Sequence, residues 1–217
     1  MIEFNFFEMK FKDRQSAGLE LATILKNYSH QPETIVIGLP RGGVMVAFSV
    51  AQKLGLPLEI TIPRKIGAPF HSEFAIGAIS EEGIFFPNQE ALKHLNVETD
   101  YLKKEITKEI AEAQRRRREY GGNKELVLTG KTVIIVDDGM ATGVTMVAAL
   151  DSLRKRGAKK TVIAVPVLPA DLLKQKWADE IIYLLAPQIF RSVGEFYENF
   201  EPVLDSQVKK FILQSKQ

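Results

Sequence analysis

Two adjacent carboxylates, Asp137 and Asp138, are followed at once by Gly139-Met140-Ala141-Thr142-Gly143-Val144-Thr145. A carboxylate pair can accept hydrogen bonds from vicinal hydroxyls or face a developing positive charge. The two glycines let the backbone approach a ligand closely, and Thr142 and Thr145 add hydroxyl donors. Four β-branched residues, Val133 to Val136, precede the acids. Such a run predicts a short strand buried on both faces, as in a parallel sheet. An apolar, helix-compatible run begins at Val144 and continues to Arg156, where Gly157 stops it. Strand, acidic pair, Gly/Thr loop and helix start together predict an anion site, because free amides and the helix dipole favour a phosphate there. The loop lacks the lysine of an ATP-type phosphate loop. Acids on one side and a phosphate cradle on the other suit a sugar phosphate.

A second strand–loop–helix unit lies upstream. Thr34 to Leu39 reads as a core strand, Pro40-Arg41-Gly42-Gly43 breaks it, and Val44 to Leu54 is helical. Arg41, at the tip of that loop, has the planar fork that grips a phosphate through two hydrogen bonds.

Hydrophobic-Asp-Asp-Gly-x-x-Thr-Gly-x-Thr resembles the phosphoribosyl pyrophosphate signature of the type I phosphoribosyltransferases. The resemblance covers roughly residues 10 to 200 in layout and is specific at 38–43, 64–74 and 132–146. It implies transfer of a phosphoribosyl group from phosphoribosyl pyrophosphate to a nucleobase or other nitrogen nucleophile, with release of pyrophosphate. By that resemblance Met140 to Thr145 clamp the 5-phosphate, Asp137 and Asp138 orient the ribose and its magnesium, and Pro40, Arg41, Gly42 and Gly43 receive the pyrophosphate. Mg²⁺ is expected to arrive mainly through the substrate, with no dedicated protein cage. A flexible loop carrying basic residues closes such sites. Lys65 is the candidate here and Arg64 the second, within Pro63 to Phe74, whose two prolines, glycine and mixed charge predict a mobile loop. His71 and Glu73 are weaker candidates. A non-catalytic regulatory protein that binds phosphoribosyl pyrophosphate or a nucleotide is the alternative, and no acceptor-specific signature is legible.

The rest of the chain supplies the elements that must hold these loops. Asp13 is placed to N-cap a helix through about Asn27. Leu56 to Ile62 reads as a strand, Ala75 to Ile79 with Gly83 to Phe86 as a hairpin, and Gln89 to Tyr120 as a helical insertion with an apolar stripe at Leu102, Ile106, Ile110 and Ala113. Arg115 to Arg118 point around most of a helix and so predict a solvated helix end rather than a nucleic-acid patch. Thr161 to Val167 and Glu180 to Leu185 are further strands, with a helix expected from Pro169 through Trp177. The order predicts a doubly wound α/β fold with a mostly parallel sheet and helices on both faces. A single domain over 1–217 is expected, with a core of about 30–186 and a hood from about 1–12 and 187–217. Phe4, Phe6, Phe7, Met9 and Phe11 with Phe196, Tyr197 and Phe200 are the hood's candidate residues.

Composition narrows the class. The chain has 217 residues, a net charge of +2 and 45% hydrophobic residues. That balance carries no basic field for nucleic acid. The absence of cysteine excludes disulfides and thiolate chemistry and is compatible with a reducing cytoplasm. No run approaches the ~20 apolar residues of a membrane span, and the first twelve residues do not read as a signal peptide. A cytoplasmic protein is expected, with no membrane partner. Assembly as a homodimer is an open expectation.

Overall fold

A computed structural model describes residues 10–121 and 126–216, without the side chains of Ser72 and Glu73. Of the expected hood residues, Phe4, Phe6, Phe7 and Met9 therefore lie outside the described residues, while Phe11 is buried against Tyr197.

Five parallel strands form the main sheet: β1 (Thr34–Gly38), β2 (Leu58–Ile60), β6 (Thr132–Val136), β7 (Lys160–Val167) and β8 (Glu180–Leu185), in the order β2-β1-β6-β7-β8. Alternation within each strand sends side chains to opposite faces. Val36, Ile134 and Val136 join one core with helices α1 (Arg14–Ile24) and α2 (Gly42–Leu54) and with α6 (Asp205–Gln214). Ile35, Ile37, Val133 and Ile135 join the other, with Met146, Leu150 and Leu153 of α5 (Val144–Lys155). The consecutive apolar residues Ile35 to Ile37 of β1 and Val133 to Val136 of β6 are thus what a strand buried on both faces requires. The doubly wound α/β expectation holds.

Asp13 caps α1 as expected. Its carboxylate accepts from the Ser16 amide at 2.8 Å, and the Ser16 hydroxyl accepts from the Asp13 amide at 2.9 Å. The helix ends at Ile24, and a 3₁₀ turn over Lys26–Tyr28 finishes the predicted span.

The segment Pro63 to Phe74 is not the irregular loop its composition suggests. It forms most of a small antiparallel sheet of β3 (Arg64–Ala68), β4 (His71–Ile79) and β5 (Phe85–Pro87), in the order β3-β4-β5. The signal was a period of two hidden among charges. Ile66 and Ala68 are buried with Ile76 and Ile79 under Tyr101, Leu102, Ile106 and Ile110 of α4 (Thr99–Tyr120), beside the shorter α3 (Gln89–Leu95). Two other expectations change. Beyond Pro169 there is a 3₁₀ turn over Ala170–Lys174 rather than a helix to Trp177. The arginine run is not wholly solvated: the Arg117 side chain is 8% exposed and pairs with Glu81.

Candidate functional site

The strand order reverses direction between β1 and β6, since β2 lies outward of β1 on one side and β7 outward of β6 on the other. Crevices at such a switch point, at the carboxyl ends of the strands, are where open α/β sheets receive ligands. Both sequence-predicted loops leave the sheet at that place, because Gly38 pairs in register with Val136. Residues 39–41 lead into α2 and residues 137–143 lead into α5.

The two loops interlock. A Cβ on Gly43 would lie 2.6 Å from Asp137 Oδ1, and one on Gly42 would lie 1.9 Å from Asp138 Oδ2. No side chain larger than hydrogen fits at either place without moving the acids. The Pro40–Arg41 peptide is cis. Neither α2 nor α5 has a side-chain cap. The Val44 amide of α2 donates to the Arg41 carbonyl at 3.3 Å, and the other first-turn amides, which have no intrahelical acceptor, are left to an outside partner. Gly143 sits at φ +74°, in the left-handed region, with the Trp177 ring where a Cβ would be.

Each acid has one oxygen engaged. Asp137 Oδ1 accepts from the Asp138 amide at 2.8 Å. Asp138 Oδ2 accepts from Arg14 Nε at 2.7 Å. Among the described residues, no backbone amide or cation reaches Asp137 Oδ2 or Asp138 Oδ1, and the two side chains lie within hydrogen-bonding reach of each other. Burial and then the neighbouring Asp138 charge push the Asp137 carboxyl well above the ordinary carboxylate range. Oxygen donors of this kind suit a hard cation that keeps most of its waters. The described residues hold no group of three or more His, Cys, Asp or Glu placed to cage a metal.

Not every predicted residue turns toward the crevice. Met140 is turned inward: its amide donates to the Val167 carbonyl at 2.9 Å and its side chain is buried in the core. Gly139 packs against Val193 and Val167. Ala141 and Thr142 are exposed, and Val144 and Thr145 are partly buried at the start of α5. Arg41 reaches toward α6, where its Nη1 lies 3.8 Å from Asp205 Oδ1. Lys65 is half-buried on β3 opposite Ala78. Arg64, the second basic candidate, is bound to Glu109 of α4, its Nε 2.7 Å from Oε2. His71 stands at the hairpin tip, where its Nδ1 accepts from the Phe74 amide at 3.1 Å. The Glu73 side chain lies outside the described residues. Arg115 bonds Asp205, Glu112 and Glu119.

Sequence reasoning missed Arg14. It is the first residue of α1, where the helix dipole disfavours a cation, and that mismatch was the available signal. Its side chain is 8% exposed. Around the same acids, the Tyr197 hydroxyl donates to the Asp138 carbonyl at 2.6 Å, and Tyr197 packs on Phe11 and Phe200.

Comparison with known proteins bears on this arrangement. A family model described as the phosphoribosyl transferase domain matches residues 11–195. The chain belongs to the phosphoribosyl transferase family. A protein of Mycobacterium tuberculosis that carries the provisional name phosphoribosyl transferase is 40% identical over 205 residues, which are 93% of this chain and 46% of that protein. The chain therefore spans about half the length of the curated relatives it matches. A crystal structure from Thermus thermophilus, named only as TT1426, is 37% identical and covers 95% of this phosphoribosyl transferase chain and 99% of its own, with a TM-score of 0.75. Among the described residues, no helix is long and apolar enough to cross a membrane.

Proposed function

We propose that the chain is a phosphoribosyltransferase that takes phosphoribosyl pyrophosphate as donor and a nitrogen nucleophile as acceptor, and releases pyrophosphate. What supports this reading above all is the interlocked pair of uncapped helix starts, with two half-engaged carboxylates between them. The 5-phosphate takes the first-turn amides of α5 and the hydroxyls of Thr142 and Thr145. Asp137 and Asp138 accept from the ribose hydroxyls. The pyrophosphate lies along Pro40 to Gly43, where the Gly42 amide and Arg41 face the charge that grows as the C1–oxygen bond breaks. Lys65 is the further basic group proposed for that charge. Met140 contributes packing, since its amide is already bonded.

The residues present fit magnesium, with Asp137 and Asp138 offering one oxygen each toward a substrate-borne ion. When bound, Mg²⁺ neutralises phosphate charge. The oxocarbenium-like state at C1 is then met by carboxylate on the ribose side and by the nucleophile on the opposite face. A homodimeric, cytoplasmic enzyme is part of the same proposal.

Calorimetric titration with phosphoribosyl pyrophosphate plus Mg²⁺ tests the donor. A screen of nucleobases and amines for pyrophosphate release tests the transfer. Saturable binding and release with at least one acceptor are expected. Absence of binding would end the proposal. Binding with no release for any acceptor would leave the regulatory alternative in its place.

A further inference from the structure

The guanidinium of Arg14 touches three parts of the molecule at once. Nε donates to Asp138 Oδ2 at 2.7 Å, and Nη1 donates to the Glu201 carbonyl at 2.9 Å. Its plane lies over the Phe200 ring, 3.8 Å from the centroid. A Cβ on Gly42 would lie 2.7 Å from Arg14 Nε, so the same group borders the second loop. A cation at the first position of a helix opposes the helix dipole, and burying it removes hydration. Nothing in α1 itself compensates for either cost; the compensation comes from Asp138 and the segment around Phe200. A planar fork uses two edges and a face here, an arrangement a lysine cannot copy.

Asp137, whose carboxyl holds its proton more tightly than usual, stands beside Asp138 within hydrogen-bonding reach. Arg14 holds Asp138 by a single oxygen and leaves the other oxygen, Oδ1, directed away from that bond. We propose that Arg14 is a positioning residue for sugar-phosphate recognition: it fixes Asp138 so that Oδ1 meets a pentose hydroxyl, and it seats the Phe200–Glu201 segment against the same carboxylate. This rests on the phosphoribosyl reading given above. The role concerns the pentose, not the pyrophosphate, and that distinction makes it testable.

The test titrates the parent protein, Arg14→Gln and Arg14→Lys by calorimetry with Mg²⁺ and, separately, ribose 5-phosphate and inorganic pyrophosphate, with thermal melts as a check on folding. Arg14→Gln is expected to weaken ribose 5-phosphate by tenfold or more and pyrophosphate by less than twofold, with Arg14→Lys falling between parent and Gln for the sugar phosphate. Should Arg14→Gln fail to fold, Arg14→Lys carries the same comparison, with the same selective loss expected. Equal loss for both ligands would reduce Arg14 to a structural ion pair and overturn the proposal. So would unchanged ribose 5-phosphate binding in a folded variant. If the parent itself takes neither ligand, the phosphoribosyl reading fails first and the role of Arg14 falls with it.

Discussion

Gly43 and Asp137 meet so closely that a methyl group on the glycine would sit 2.6 Å from the carboxylate Oδ1 and 2.7 Å from the aspartate Cα. One neighbour is backbone, so the clash cannot be relieved by a rotamer change. Gly43→Ala is expected to destabilise the fold by about 1–3 kcal/mol and to abolish binding of phosphoribosyl pyrophosphate. Urea unfolding and calorimetry measure the two effects. Parent-like affinity in this variant would show that the loops need not interlock.

Asp138→Asn removes the anion opposite Arg14 while keeping the side-chain shape. The loss of a charge-assisted bond predicts about 1.5–3 kcal/mol of destabilisation. Affinity for phosphoribosyl pyrophosphate, and turnover once an acceptor is known, should fall more than tenfold with the fold intact. Unchanged turnover would remove Asp138 from ribose binding.

Asp137 predicts the opposite sign for stability. A carboxyl whose native pKa lies above its unfolded value holds its proton more tightly when folded, so stability falls as pH rises from about 4 through the native pKa. Burial and the Asp138 charge place Asp137 in this class. Asp137→Asn should therefore melt higher than the parent at pH 8, and the advantage should fade toward pH 4, while ligand binding is lost. Parallel melting profiles across that range would contradict the raised pKa.

Arg117 is buried at the junction of α4 and the small sheet. It bonds both oxygens of Glu81, and its Nη2 donates to the Ile60 carbonyl at 3.0 Å. Arg117→Ala removes both hydrogen bonds to the Glu81 carboxylate, whose side chain is 7% exposed, and leaves it Arg156 at 3.9 Å. A loss of about 3–5 kcal/mol is expected. Arg117→Met combined with Glu81→Leu should cost less than Arg117→Ala alone, and denaturant unfolding of the three variants decides it.

The sequence made the main sheet legible because β1, β6 and β7 are continuous apolar runs, which burial on both faces demands. The Asp13 cap was legible because its partner Ser16 is three residues away. The hairpin of β3 and β4 was hidden, since Pro63, Gly67 and Pro69 signal a break while only Ile66 and Ala68 mark the buried face. Arg117 looked solvated because Glu81 is 36 residues distant along the chain. The residue types of both anion loops were readable. Their interlocking was not, because a contact between Gly43 and Asp137 is a property of strand order. The inward turn of Met140 follows from the Val167 carbonyl, which no local pattern announces.

Among the described residues, polar contacts that fasten the small sheet to the helices include Arg117 to Glu81, Arg156 and Ser152 to Glu82, and Arg64 to Glu109. Swinging that sheet as one piece would sever all of them together. The turn around Phe70 lies beyond the last of these contacts, and its ring is wholly exposed, so a rearrangement confined to the hairpin's end would break none of them.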